Sequence, residues 1–240
     1  MRIDGRRSDQ LRPVNATPYF TEFAEGSVLF SMGKTRVLCN LTLEEGVPRW
    51  MQQQSKPGGW ITAEYAMLPR STQMRTPRET NSLGGRTQEI RRLIGRSLRA
   101  AVNLELLGQR TAILDCDVLQ ADGGTRTAAI TGSYLALAIG LRRLIKNNEL
   151  PSDTLRSPVA AVSVGILAGI PLLDLCYTED SQAEVDANIV MNADGRFIEL
   201  QSTAERNTFD RLQFDYLLNL AYQGIGELIA FQKNFLSEIV

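Results

Sequence analysis

The sequence predicts an α/β or α+β sandwich, with mixed sheets packed on helices. Three observations carry this reading. Residues 27–43 alternate apolar and polar positions about a Met32-Gly33-Lys34 turn, the period of a half-buried hairpin. Residues 125–147 are apolar nearly all round a helix, which requires burial on several sides. Residues 159–201 return to short apolar runs broken by turn residues, a second group of strands.

The elements follow in order. After the hairpin and a Pro57-Gly58-Gly59 break, residues 60–68 form a short strand. Residues 69–85 show no period and read as a long arginine-bearing loop, of a length that is more often functional than decorative. Ile90, Leu93, Ile94, Leu98, Ala101, Val102 and Leu106 recur at helical spacing, so 87–107 is expected to be one helix stopped by Gly108. Arg92, Arg96 and Arg99 share one of its faces. Residues 111–120 form a strand, with Asp115 and Asp117 opposite its apolar side, open to two uses: metal ligands, or satisfied polar or interface groups. Beyond the buried helix come strands at 159–167, 172–178, 187–191 and 196–201. A last amphipathic helix starts near the cap candidates Asn207 and Thr208.

With 240 residues, 43% hydrophobic and 22% charged, the chain can bury roughly 70 to 75% of its unfolded surface. It shows no solenoid repeat and no low-complexity linker, so 1–240 is expected to be a single domain. Histidine is absent, which excludes Ser-His-Asp and Cys-His nucleophile pairs and every imidazole-ligated zinc site. Cys39, Cys116 and Cys176 lack C-x-x-C spacing, and each sits in an apolar run as a small buried thiol. Residues 1–12 are charged, with no secretory signal, and the apolar run at 135–141 is too short to span a bilayer. The expected compartment is a reducing cytoplasm, with no membrane partner.

A formal net charge of -1 conceals segregation. Residues 68–99 hold eight arginines against two glutamates, whereas residues 171–210 hold nine acids against two arginines. Guanidinium groups fork onto phosphate and stay charged when desolvated, so one stretch suits phosphates and the other a cation or a proton donor.

Gly33-Lys34-Thr35 suggests a nucleotide loop, but a P-loop requires glycine where this chain has Val28. The sharper feature is Ala121-Asp122-Gly123-Gly124-Thr125-Arg126-Thr127, which joins a strand end to the start of the buried helix. Free backbone N–H groups there, with a hydroxyl and an arginine alongside, make an anion site. Gly84-Gly85-Arg86-Thr87 also precedes a helix, so Arg86 and Arg126 hold matching positions and are expected to converge on one anion. Asp174 and residues 178–186, including Asp180 and Asp186, form an acidic strand-end cluster suited to Mg²⁺ or to general acid work.

These motifs resemble those of the bacterial ribonuclease PH family. Asp4-Gly5-Arg6, Ala24-Glu25-Gly26-Ser27, residues 44–49, Trp60-Ile61-Thr62-Ala63-Glu64-Tyr65, Gly85-Arg86-Thr87-Gln88-Glu89-Ile90 and residues 115–127 occur in the family's order. Residues 159–165, Asp180, Glu184, Asp186 and Thr203-Ala204-Glu205 continue the likeness. The resemblance implies a ribosomal protein S5 domain 2-like fold and a phosphorolytic 3′-to-5′ exoribonuclease that trims precursor tRNA, transferring nucleotides to inorganic phosphate as nucleoside diphosphates. It implies Mg²⁺, with Mn²⁺ as a substitute, and a hexamer built as a trimer of dimers. By matched position, Arg86, Gly124, Thr125 and Arg126 would hold phosphate, and Asp180 and Asp186 would be the catalytic or metal-binding carboxylates. Arg70, Arg75 and Arg78 on the loop, with Arg92 and Arg96 on the following helix, would bind RNA. Ser202 and Arg206 replace family glycines beside the site, introducing side chains and a demand on backbone angle. The alternative from another class is a noncatalytic RNA-binding subunit of an exosome-like ring.

Overall fold

In the computed structural model, which describes residues 2–80 and 82–239, the hairpin anchors a five-stranded sheet. Its order is β1 (Val14–Pro18), β2 (Gly26–Met32), β3 (Thr35–Glu45), β5 (Arg110–Gln120) and β4 (Trp60–Met67). All neighbours pair antiparallel except β4 and β5, so this sheet is mixed. The second sheet is antiparallel throughout, ordered β7 (Ile170–Leu173), β6 (Val159–Leu167), β8 (Val185–Asn192) and β9 (Phe197–Ala204). Helices α1 (Arg49–Gln53), α2 (Gly85–Arg99), α3 (Leu104–Leu107), α4 (Thr125–Lys146), α5 (Tyr177–Asp180) and α6 (Arg211–Ile239) complete it.

Helix α4 explains its own composition. It packs on β2, β3 and β5 of the first sheet and on β6 and β8 of the second, and its side chains are buried from Thr125 to Leu141 except for Arg126. Close approach is needed at Gly132, where an added Cβ would lie 2.7 Å from Phe30 Cβ and 2.9 Å from Cys39 Sγ. Contrary to the expectation from the run at 135–141, this helix is long and apolar enough to cross a membrane, with mean hydropathy 1.3, yet 78% of that window is buried inside the fold.

Three boundaries differ from expectation, each for a tertiary reason. The helix expected over 87–107 breaks after Arg99, because Asn103 N–H donates to Thr154 O at 2.8 Å and Arg156 N–H to Ala101 O at 2.8 Å, drawing Val102 into a bridge with Leu155. The strand expected over 172–178 stops at Leu173, because Asp174 turns into the left-handed region at φ 55° and a helical turn follows. Helix α6 starts later than Asn207 and Thr208: Asp210 Oδ1 accepts from Gln213 N–H at 2.8 Å while Gln213 Oε1 accepts from Asp210 N–H at 2.9 Å, a reciprocal capping box. The short elements β1 and α1 are additions to the expected set.

Candidate active site

A cavity of about 620 Å³ opens where the end of β5, the starts of α2 and α4, and the α5–β8 segment meet, and Arg86, Gly124, Thr125, Arg126, Asp180 and Asp186 all line it. The turn that builds it has both glycines at positive φ, Gly123 at 74° and Gly124 at 63°. A Cβ on Gly123 would lie 2.5 Å from Leu175 O, so the turn sits against the backbone that leads into α5. Thr35, the threonine of the rejected nucleotide triplet, fastens this turn. Its hydroxyl donates to Gly123 O at 2.7 Å and accepts from Asp122 N–H at 3.0 Å.

Arg86 and Arg126 are each the second residue of a helix, α2 and α4, so both guanidiniums stand beside helix N-termini whose free N–H groups favour an anion. Arg126 is held in place, donating to Gln201 Oε1 at 2.8 Å and Glu89 Oε1 at 3.2 Å. Thr125 Oγ1 accepts from the buried Tyr65 hydroxyl at 2.9 Å. Burial pushes the Tyr65 phenol up, despite the nearby Thr125 hydroxyl and Arg86 and Arg126, so it stays a hydrogen donor.

The carboxylates face this positive wall. Asp180 is pushed up by desolvation among the surrounding groups, with Arg86, Arg126 and Arg12 opposing and Glu205 adding to the rise. Asp186 is pushed up by burial, then by repulsion from Asp180 and Glu205, with Arg126 in partial opposition. Mutual repulsion of two carboxylates in one cavity is relieved by a shared proton or a cation. Two hard oxygen donors beside open space fit Mg²⁺, which fills its remaining positions with water and phosphate oxygens. Among the described residues no cluster of three or more Asp, Glu or Cys could form a closed cage.

Of the other sequence candidates, Arg75 lines the same cavity from the 69–85 loop, whose Asn81 lies outside the described residues. Arg70 and Arg78 are exposed but do not line it. Arg92 and Arg96 line a different cavity of about 460 Å³ with Arg99. The three arginines do share a helical face, but its register carries them along α2 away from Arg86. Arg96 is forked onto Glu199 at 2.9 and 3.0 Å, and Arg99 lies over the Trp60 ring at 4.3 Å. Asp115 and Asp117 lie on the first sheet, apart from Asp180 and Asp186. Burial pushes both up, with Asp117 and Glu64 adding to the rise at Asp115 and Arg78 opposing it at Asp117. Ser202 and Arg206 stand outside the positive-φ residues, so the replaced glycines impose no backbone strain.

Sequence reasoning missed the support behind Asp180. Arg12 is buried and forks onto the fully buried Asp174 at 2.7 and 2.9 Å, while Arg2 forks onto Glu179 at 2.7 and 2.8 Å. The available signal was a charged opening segment too apolar-poor to pack by hydrophobicity, which therefore had to be bound by charge.

A sandwich of these two sheets, with arginine and aspartate walls closing on one cavity, defines the class: the chain belongs to the 3′ exoribonuclease family. The model of that family's domain 1 matches residues 10–140 and that of its domain 2 matches residues 157–224. Ribonuclease PH of Solibacter usitatus is 52% identical over 238 residues, covering 98% of this chain and 99% of the relative. Ribonuclease PH of Crocosphaera subtropica is 54% identical over 237 residues, covering 99% and 98%. Among solved structures, rice Rrp46 matches with TM-score 0.79 at 20% identity, covering 98% of this chain and 100% of that one. The Archaeoglobus fulgidus exosome with RNA bound to the active site matches with TM-score 0.78 at 24% identity, covering 95% and 91%. The fold is thus the ribosomal protein S5 domain 2-like sandwich that the resemblance implied.

Proposed function

We propose that this chain is a phosphate-dependent 3′-to-5′ exoribonuclease that shortens precursor tRNA and other RNA 3′ ends, releasing nucleoside diphosphates. The observation that carries it is the convergence of Arg86 and Arg126, distant in sequence, on one cavity with Gly124, Thr125, Asp180 and Asp186. Membership of the 3′ exoribonuclease family and full-length similarity to Ribonuclease PH support the same reading.

Phosphorolysis must bring an orthophosphate against an anionic diester. Arg86, Arg126, the α4 N–H groups and the Thr125 hydroxyl receive the orthophosphate and cancel the charge that would repel it. Held there, one oxygen of hydrogen phosphate bonds to the terminal phosphorus as the bond to the preceding 3′ oxygen breaks, and that oxygen leaves as a hydroxyl with the proton that the attacking phosphate gives up. Positioning and charge supply most of the acceleration in such a transfer, which is why histidine is dispensable. Asp180 and Asp186 would hold Mg²⁺, or Mn²⁺, which when bound neutralises diester charge. Exposed Arg70, Arg75 and Arg78 would track the RNA backbone, with Arg92 as a further phosphate contact and Arg96 available only by leaving Glu199.

We extend the proposal to the setting. One buried core runs from Leu11 to Leu236 through both matched segments, which supports a single domain over 1–240. Buried free thiols at Cys39, Cys116 and Cys176 support a reducing cytoplasm. Exposed Phe23, Phe197, Leu212 and Tyr216 support assembly, and the hexamer of three dimers proposed for it rests on the family resemblance alone.

The test is a 3′-tailed RNA with Mg²⁺, with and without phosphate. Nucleoside diphosphates that appear only with phosphate are expected. Phosphate-independent release of monophosphates would replace phosphorolysis by hydrolysis, and RNA binding without turnover would favour the noncatalytic ring subunit.

A further inference from the structure

We infer that the segment 2–12 is a clasp in which Arg2, Arg6 and Arg12 position Asp180 and the Gly123–Gly124 turn; this rests on the function proposed above. The geometry begins with α5, a single turn of four residues. One turn is too short to hold its own shape in water. Its last residue is Asp180, and the residue before it, Glu179, points roughly 100° away round the turn into the protein. There Glu179 is buried and fully engaged: it takes both Arg2 bonds and accepts from Cys176 N–H at 3.1 Å. The rotation of the turn, and with it the direction of Asp180, is therefore set by Arg2.

The same arginines reach the strand that leads into the turn. Arg2 also donates to Leu173 O and Asp174 O, each at 2.8 Å, and Arg6 donates to Asp174 O at 3.0 Å. Arg12 joins the two halves of the cavity. It forks onto Asp174 and also donates to the carbonyls of Asp122 and Gly123, the latter at 3.4 Å. One guanidinium thus ties the phosphate-side turn to the carboxylate-side loop. Buried ion pairs of this kind often add little net stability compared with apolar packing, so their concentration behind one cavity points to geometry as what they supply. They are positioning residues, since none of them lines the cavity.

The test uses Arg2→Gln and Glu179→Gln in the full chain, with Arg2→Lys as the charge-conserving variant and the exposed Arg7→Gln as control. Each of the first two should lower kcat about tenfold or more, since misplacing a reacting group by an ångström can cost on the order of a hundredfold. The KM for phosphate should stay within about twofold, because Arg126 is held by Gln201 and Glu89 rather than by the clasp. The double variant should be little worse than either single one, the mark of a shared pair. Arg2→Lys, which cannot fork, should recover only part of kcat. Amide hydrogen exchange should quicken at residues 176–181 and not in α4. A kcat within twofold of wild type, or exchange quickened equally in α4, overturns the clasp. If wild type releases no nucleoside diphosphate, the function itself fails and the exchange pattern alone decides the clasp.

Discussion

Tyr65 donates its phenolic hydrogen to Thr125 Oγ1 across 2.9 Å, from a buried position on β4 to the first residue of α4. A hydroxyl has one hydrogen. With its acceptor side facing Tyr65, Thr125 is left to donate that hydrogen into the cavity. Tyr65→Phe should raise the KM for phosphate about three- to tenfold and cost roughly 1 kcal/mol of stability. Phosphate titration of initial rates and urea unfolding check both; an unchanged KM would remove Tyr65 from phosphate binding.

Arg126→Lys keeps the charge and loses the planar fork that bonds Gln201 and Glu89. The expected loss in kcat/KM for phosphate is about 10² to 10³, the usual consequence of removing an aligned charge-stabilising donor. Nucleoside diphosphate release against phosphate concentration measures it.

The electrostatics of the carboxylate pair set a pH dependence. Asp180 and Asp186 titrate above the ordinary value of 3.8, so the folded state holds their protons more tightly than the unfolded chain does. Their contribution is present below that value and is lost as pH rises through the raised ones. At neutral pH the ionised pair opposes folding. Asp186→Asn should therefore abolish turnover yet raise Tm at pH 7 in chelator without phosphate, the gain shrinking as pH falls toward 4. A lower Tm at pH 7 would contradict the sign.

Two glycines beside helix starts should behave oppositely. Gly123→Ala forces a side chain at φ 74° and 2.5 Å from Leu175 O. A loss of about 1–3 kcal/mol is expected, with impaired turnover. Gly85→Ala, with nothing within 4 Å of the new Cβ, should be neutral or stabilise by up to about 1 kcal/mol. Chemical denaturation separates them.

Neutralising Arg70 and Arg78, which are exposed outside the cavity lining, should weaken capture of whole tRNA more than processing of a short oligonucleotide. The salt slope of tRNA binding should fall by about 0.9 for each phosphate that is no longer neutralised. Equal loss on both substrates would argue against a docking role.

Much of this was legible in residue order. Alternation from 27 to 43 and from 111 to 120 appears as β2, β3 and β5, because a half-buried sheet writes a period of two into the chain. The glycine-arginine junctions were legible as helix starts, since each helix takes a glycine at its N-cap and helical apolar spacing begins just beyond it. What could not be read was the pairing of distant charges. Nothing local links Arg2 to Glu179 or Arg12 to Asp174, and nothing local says that Arg96 turns to Glu199.

Local pattern alone determined the sheet-and-helix alternation, the buried helix and the two arginine-bearing turns, because backbone preference and side-chain periodicity act over a few neighbouring residues. Only the tertiary structure decided that those turns meet over Asp180 and Asp186, that the helix at 87–107 breaks, and that an opening run of arginines stands behind the cavity. Electrostatic pairing and shared burial depend on distance in space, and that distance exists only once the chain has folded.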